Sequence, residues 1–156
     1  ALISGIAFAK DESDIMMRGV KDSPGIAASI LGPIGEADIE VDMIVQNVGS
    51  DGLADFTFTV SRKDFNKAIQ TIEKNKKKMN YEEVSATKNI VKVSLIGVGM
   101  RSHAGIAGQM FTCLAKKKIN IRMISTSEIK ISVVIDQKNL ENAVKALHNE
   151  FKLERK

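Results

Sequence analysis

The chain contains two copies of one sequence unit. When the sequence is shifted by 80 positions, Ser23–Ala27 aligns with His103–Ala107, and the match continues without a gap until Met43–Ile44 aligns with Met123–Ile124. Apolar positions coincide even where identity is lost. A repeat of this length predicts two copies of one supersecondary unit, so the fold of one copy constrains the whole chain.

The second half of the match has a different shift. Phe65–Ile69 aligns with Leu140–Val144, which is a shift of 75. The first copy therefore has five more residues than the second. We expect them in a longer hairpin loop at Asn47–Gly52, because Gly, Asn, Asp and Ser are typical of turns.

Within each copy the hydrophobic period changes in the order strand, helix, strand, strand, helix, strand. In the first copy Ile15–Val20 is a predicted strand, and Ser23 is expected to cap a helix with Pro24 at its first position. The other predicted elements are strands at Ile39–Val45 and Phe56–Val60, a helix at Lys63–Lys77 and a strand at Tyr81–Ala86. The second copy repeats the order at Val91–Ile96, Ala104–Lys117, Ile121–Ile124, Ile129–Ile135 and Lys138–Phe151.

Pro33 lies inside the first predicted helix. There it removes an amide donor and collides with the carbonyl group of Ser29. We therefore expect a kink or break at Gly32–Pro33.

The second copy is one strand short. After its last predicted helix only Lys152–Lys156 remain, whereas the chain begins with Leu2–Phe8, an apolar stretch that precedes the first copy. We expect this stretch to complete the sheet of the second unit. The first domain, residues 14–87, would then be inserted in the second, which comprises residues 1–13 and 88–156.

A β-α-β-β-α-β unit packs two helices on one face of a four-stranded antiparallel sheet, the ferredoxin-like arrangement. The predicted fold class is therefore α+β, with two ferredoxin-like domains. Because the open edges of two such sheets can pair with a second chain, we also expect a symmetric homodimer.

The composition indicates a folded protein outside the membrane. Of the 156 residues 44% are apolar and 27% are charged, and no apolar run approaches the ~18 residues of a spanning helix. The net charge of +4 alone names no nucleic-acid partner. The single cysteine, Cys113, is expected to pack as a small apolar side chain. We expect a soluble cytoplasmic protein.

The segment between the first strand and first helix of each copy is a candidate binding site. Gly25 and Gly105 follow a strand and open a helix, where free amides and the positive helix end can hold a carboxylate. Asp22 can balance an ammonium group, and Gln46 adds a donor and an acceptor. An amino acid carries both charges, although the same residues also suit an ordinary capped helix start.

Hydroxyl side chains mark a second candidate region. Ser125, Thr126, Ser127 and Glu128 lie between two predicted strands of the second copy. They suit either a polar ligand or an exposed turn. Asn120 and Ile121 enter the neighbouring strand, where backbone groups can also face a ligand.

The sequence carries no complete catalytic, nucleotide or metal motif. Gly97-Val98-Gly99 begins like a dinucleotide motif, but Ser102 replaces the third glycine. His103 and His148 lack companion metal ligands. We expect neither a cofactor nor a metal site.

Longer runs of the sequence carry a family resemblance. Gly97–Gly105, Asn120–Ile121 and Ile124–Ser132 closely resemble the C-terminal regulatory region of aspartate kinase, and Asp38–Asn47 resembles the first module of that region. The resemblance covers nearly the whole chain. It implies two ACT domains, the first inserted in the second, that bind threonine, lysine or both as feedback inhibitors. It also implies a separate catalytic domain or α subunit for ATP and aspartate, so this chain should hold no catalytic residues.

The resemblance also implies inhibitor contacts at the positions that match the family's motif. In the first module these are Asp22, Pro24, Gly25, Ile26, Ala27 and Gln46; in the second they are Met100, Ser102, His103, Gly105, Asn120, Ile121, Ser125, Thr126, Ser127 and Glu128. Ala104 stands where the second module usually has a proline, so equal affinity at the two sites is not expected. An inhibitor that favours one arrangement of modules would lower the activity of the attached catalytic domain.

Two alternatives remain open at this point. A free-standing ACT sensor could control another protein. A pair of ferredoxin-like domains could also bind RNA, but such domains stack bases on exposed aromatic rings. With six Phe, one Tyr and no Trp, the chain has a poor supply of such rings.

Overall fold

The structure is a computed structural model that describes residues 3–97 and 103–153. The chain divides into two compact units. We call Asp11–Lys88 the inserted unit, and Ala1–Lys10 together with Asn89–Lys156 the split unit.

The inserted unit contains two complete strands, three α-helices, a short 3-10 helix at Arg62–Asp64 and parts of two longer strands. Its elements are the end of β1 (Ile3–Lys21), α1 (Ile26–Glu36), β2 (Val41–Val48), β3 (Leu53–Ser61), α2 (Phe65–Lys74), α3 (Lys76–Met79) and the start of β4 (Glu83–Gly97). The strand order is β2-β3-β1-β4. Both β2 and β1 pair antiparallel with β3, which puts β1 and β2 parallel to each other.

The split unit repeats this arrangement with the start of β1 as its last strand. The rest of β4 is followed by α4 (His103–Lys116), β5 (Met123–Thr126), β6 (Lys130–Asp136) and α5 (Leu140–Glu150). The strand order is β1-β4-β6-β5. Ser4 Oγ donates to the carbonyl oxygen of Ile96 at 3.1 Å, so the N-terminal stretch completes this sheet, as expected from Ile3 onward; Leu2 lies outside the described residues. The predicted α+β, ferredoxin-like fold class is confirmed.

Each unit has its own apolar core. In the inserted unit Phe56 and Phe58 of β3 are fully buried with Ile30 of α1 and Ile72 of α2. The core of the split unit joins strands β4 and β6 to helices α4 and α5, and it includes Cys113 at 6% exposure, which confirms that prediction. Burial of one such large apolar side chain stabilises a fold by about 1.5–3 kcal/mol, so each helix is fixed to its sheet.

The predicted strands at Tyr81–Ala86 and Val91–Ile96 are one continuous strand, β4. In the same way β1 runs from Ile3 to Lys21. Each long strand contributes to both cores: in β4, Val84 packs against the core of the inserted unit and Val91 belongs to the core of the split unit. Asp11, at the start of the inserted unit, adopts φ 61°, a left-handed conformation that aspartate tolerates better than most residues.

The predicted break at Pro33 is wrong, since α1 is continuous from Ile26 to Glu36. Pro33 is buried with Ile30 and Ile34, so the proline ring adds to the apolar face of the helix. That packing offsets the lost hydrogen bond to Ser29.

Most of the additional residues that were expected in a longer hairpin loop lie in strands β2 and β3. In the inserted unit the amide of Gly49 donates to Leu53 at 2.8 Å, which leaves a turn at residues 50–52. In the split unit the amide of Ser127 donates to Lys130 at 2.8 Å around a turn at residues 128–129. The two turns differ by a single residue, so the other additional residues lengthen the β2–β3 ladder.

Candidate functional site

The first candidate site lies in the inserted unit, at the end of the sheet where β1 and β2 finish. Because β1 and β2 are parallel, their carboxyl ends lie at the same end of the sheet. The amide of Asp22, just after β1, donates to the carbonyl oxygen of Gly52 at 3.0 Å. Gln46 lies near the end of β2, is exposed and pairs with Phe56 of β3. Phe56 also pairs with Met17 of β1, so Gln46 is level with Met17 and not with Asp22. The structure therefore places Asp22 beside the start of α1 and does not bring Gln46 to them.

The start of α1 is an open turn and not the predicted cap. The amide of Ile26 donates to Ser23 at 3.2 Å, and Gly25 adopts φ 88° and ψ −5°, which is a type II turn with Pro24 and Gly25 at its centre. Ser23 therefore caps no helix, and Gly25 is the residue before α1. The left-handed φ at Gly25 costs a side-chain-bearing residue about 1–2 kcal/mol, which explains the glycine.

This turn leaves backbone donors accessible. The amide and hydroxyl groups of Ser29 both donate to the carbonyl oxygen of Gly25, at 3.0 and 3.1 Å, and this is the first helical hydrogen bond. The amides of Ala27 and Ala28 precede that bond, and both residues are exposed. A carboxylate can approach them over two methyl side chains, at the positive end of the helix dipole.

A cavity of about 600 Å³ lies beside Asp22. Acidic side chains of Asp51 and Glu82 line it together with Lys21 and the Tyr81 ring. Sequence reasoning missed Glu82 and Tyr81. The ferredoxin-like strand order could have indicated them, because the amino end of β4 lies next to the carboxyl end of β1; the amide of Glu82 donates to Arg18 at 2.9 Å.

The Tyr81 phenol remains a hydrogen-bond donor over a wide pH range. Burial raises its pKa, and the nearby Glu73 carboxylate adds to the shift. Lys76 Nζ lies 5.6 Å from the centre of the ring and holds it in place by a cation–π contact.

The second candidate site lies at the corresponding end of the sheet in the split unit. The amide of Gly97, at the end of β4, donates to the carbonyl oxygen of Ile129 at 2.9 Å. This bond joins the strand that precedes α4 to the turn after β5. Ser125, Thr126, Ser127 and Glu128 are exposed there. Gly105 is exposed within the first turn of α4, whereas its repeat partner Gly25 precedes α1, so the two helix starts differ.

Asn120 and Ile121 connect α4 to the amino end of β5. Ser125 and Thr126 form the carboxyl end of this strand, and Ser127 and Glu128 follow it. Asn120 is exposed, and Ile121 packs partly against the core. Met100 and Ser102 lie outside the described residues, as does the side chain of His103, which begins α4.

Among the described residues, no group of three or more metal-ligating side chains lies close together. The Nδ1 atom of His148 is buried without a hydrogen-bond partner in the described parts of the chain. No helix in those parts has both the length and the apolar character needed to cross a membrane.

Comparisons with known proteins agree with the two-unit architecture. Two family models, both described as ACT domain, match residues 15–76 and 93–151. One match lies in each unit.

Named relatives are aspartate kinases. The chain is 58% identical to an aspartate kinase of Stutzerimonas stutzeri and 47% identical to an aspartokinase of Helicobacter pylori, each over 153 residues and 98% of this chain. It spans only 37% of the length of these relatives.

Solved structures of two chains of similar length also match nearly the whole of this chain. A chain from a crystal structure of aspartokinase alpha and beta subunits is 46% identical to this chain and superimposes with a TM-score of 0.91. The match covers 97% of this chain and 99% of that chain. The regulatory subunit of aspartate kinase from Thermus thermophilus, in its ligand-free form, is 34% identical, with a TM-score of 0.90 and the same coverage.

Proposed function

Because this chain belongs to the family of aspartate kinase regulatory regions built from two ACT domains, we propose that it binds threonine, lysine or both and thereby inhibits the phosphorylation of aspartate. ATP and aspartate would be handled by a separate catalytic part, which the greater length of the relatives accommodates. The ACT domains would extend over residues 14–87 and over residues 1–13 with 88–156, in the cytoplasm.

The open turn at Gly25 beside Asp22 carries this proposal. The exposed amides of Ala27 and Ala28 suit the carboxylate of an amino acid, and the carboxylate of Asp22 suits its ammonium group. The family resemblance adds Gln46, which is exposed on β2. The proposed contacts in the inserted unit are therefore Asp22, Pro24, Gly25, Ile26, Ala27 and Gln46.

The split unit would contribute a second set of contacts. Its exposed hydroxyl groups at Ser125–Ser127 suit a polar effector, and exposed Gly105 lies in the first turn of α4. The complete proposed set there is Met100, Ser102, His103, Gly105, Asn120, Ile121, Ser125, Thr126, Ser127 and Glu128. Asn120–Ile121 precede β5, whereas Ser125 and Thr126 end this strand and Ser127–Glu128 follow it.

Calorimetric titration of the chain with threonine, with lysine and with both tests the effector proposal. Asp22→Asn removes the charge that would bind the ammonium group, and we expect it to weaken binding by about tenfold or more. Glu36→Gln, at the far end of α1, is a matched control and should bind as the parent does. Absence of heat and of a thermal shift with either amino acid would refute the proposal.

We also propose that two copies associate through the sheet edges. Ile44 of β2 and Ile124 of β5 occupy equivalent repeat positions on edge strands and are 50% and 47% exposed. Val48 and Ile129, at the neighbouring turns, are also large and exposed. Edge strands with exposed apolar side chains favour pairing with another chain.

Inhibition would follow from linkage. An effector lowers activity only if it binds one state of the regulatory part more tightly than another, and the catalytic part is less active in that state. Co-purification of this chain with an aspartate kinase catalytic chain, followed by activity assays with each effector, tests this step. A chain that binds the effector but never associates with the catalytic part would instead be a free-standing sensor.

A further inference from the structure

A groove of about 520 Å³ lies in the split unit, and none of the proposed effector residues lines it. One wall is formed by Phe8 and Lys10 of β1, in the part of this strand that belongs to the split unit. The other wall is the start of α5. Leu140 and Val144 of that helix are half-buried and provide an apolar floor. We call this feature the Phe8 groove.

Phe8 is unusual because its ring is 51% exposed. Lys10 Nζ lies 5.7 Å from the ring centre, at cation–π distance. An exposed aromatic ring in an otherwise charged surface is typical of a contact with another protein.

The charges along the groove are predominantly positive. Exposed Lys10, Lys138 and Lys145 line it, against the single carboxylate of Glu141. None of these four side chains forms an ion pair within the described residues. An acidic partner would find three uncompensated ammonium groups around an apolar floor.

The backbone beside the groove can pair with a further strand. In the split unit β1 is the edge strand, with β4 as its neighbour, and the pairing of β1 with β3 begins only at Glu12. Main-chain groups at a sheet edge can form hydrogen bonds with an extended peptide, which then becomes an additional strand, while side-chain pockets supply specificity. This favours a peptide segment over a small anion.

We propose that the Phe8 groove docks an extended acidic segment of the kinase's catalytic part, whose carboxylates meet the three lysines and whose apolar side chain covers Phe8. This inference rests on the proposed association with a catalytic part. It assigns to this association a contact that involves none of the proposed effector residues.

Photo-crosslinking in the complete kinase tests the proposal. Phe8→p-benzoylphenylalanine keeps an aromatic side chain and should crosslink to a segment of the catalytic part rich in Asp and Glu, identified by digestion and mass spectrometry. Lys138→Glu together with Lys145→Glu should lower the crosslink yield by about tenfold. Lys116→Glu with Lys117→Glu, at the end of α4 in the same unit, should leave the yield unchanged.

Two results would overturn the groove assignment alone. One is a kinase that co-purifies intact but crosslinks from position 8 only within this chain or to a second copy of it. The other is a crosslink whose yield does not respond to the Lys138 and Lys145 reversals. Failure of this chain to associate with any catalytic part would instead overturn the proposed function itself.

Discussion

Asp55 accepts a hydrogen bond at Oδ1 from the backbone amide of Gly19, 3.1 Å away. The bond lies at a β-bulge in β1, between Met17 and Val20, where the register with β3 shifts. Beyond the bulge Lys21 pairs with Leu53, and the next amide, that of Asp22, reaches Gly52. The bulge therefore sets the position of Asp22 at the candidate effector site.

Substitution of Gly19 should destabilise the inserted unit. Gly19 adopts φ 69°, and an added Cβ would lie 2.5 Å from the side chain of Glu82. The left-handed conformation and this contact should cost Gly19→Ala about 1–3 kcal/mol of unfolding free energy, measured by urea denaturation. Effector affinity should also fall, because Asp22 follows the bulge.

A glycine without either constraint is the control for Gly19. Gly32 lies in α1, and a Cβ there would meet nothing within 4 Å. Gly32→Ala should stabilise the unit by about 0.5–1 kcal/mol, since alanine loses less conformational entropy in a helix. Equal losses for both variants would contradict the role of the bulge.

Gly25→Asp should weaken effector binding with a modest effect on stability. The position is left-handed but open, with nothing within 4 Å of an added Cβ, and aspartate tolerates this conformation. Its carboxylate would repel the effector's carboxylate from the amides of Ala27 and Ala28, which we expect to weaken binding about tenfold or more in calorimetry. Gly35→Asp, an open site near the other end of α1, should bind normally; equal affinity of all three proteins would contradict the site.

The fold was largely predictable because the repeat doubles the information in each apolar pattern. The N-terminal stretch could be assigned to the split unit because the second copy was one strand short, and Ser4 indeed bonds to Ile96. The predicted break at Pro33 was wrong because a penalty written for an isolated helix ignores the burial of the ring.

The details of the site depended on backbone conformation, which composition does not reveal. Pro24 and Gly25 were equally compatible with a capped helix and with a type II turn; the φ of 88° at Gly25 decides for the turn. Glu82 was missed because it neighbours Asp22 only across the sheet. Long-range neighbours of this kind follow from strand order and not from local spacing.

Charged residues on the edge strands should abolish dimer formation. Ile44→Glu and Ile124→Glu replace exposed side chains, so the fold should change in stability by less than about 0.5 kcal/mol. Sedimentation velocity should show a dimer for the parent chain and a monomer for the double variant. A parent chain that is monomeric at high concentration would refute association through these edges.

The buried hydroxyl pair of the split unit should show strong coupling. Ser94 Oγ and Ser132 Oγ lie 2.6 Å apart on β4 and β6, and both residues are buried. Ser94→Ala leaves the partner hydroxyl without its hydrogen bond and should cost about 1–3 kcal/mol, as should Ser132→Ala. The double variant should cost less than the two single changes together, since no orphan hydroxyl remains. Additive losses in a denaturation-based double-mutant cycle would contradict this.

Cys113 should make stability fall at alkaline pH. Burial raises the pKa of its thiol above the ordinary value of 9.0; Glu150 adds to the shift, while Lys117 and Lys116 oppose it. Between the ordinary and the raised value the unfolded chain has lost the thiol proton and the folded chain retains it, so the free energy of unfolding decreases as pH rises through this window. Cys113→Ala removes that contribution, and its stability, measured by urea denaturation from pH 8 to pH 10.5, should decline less steeply than that of the parent. Lysine and Tyr81 ionisation occurs in both proteins and cancels in the comparison, so identical slopes would show that the thiol ionises equally in the folded and unfolded chains.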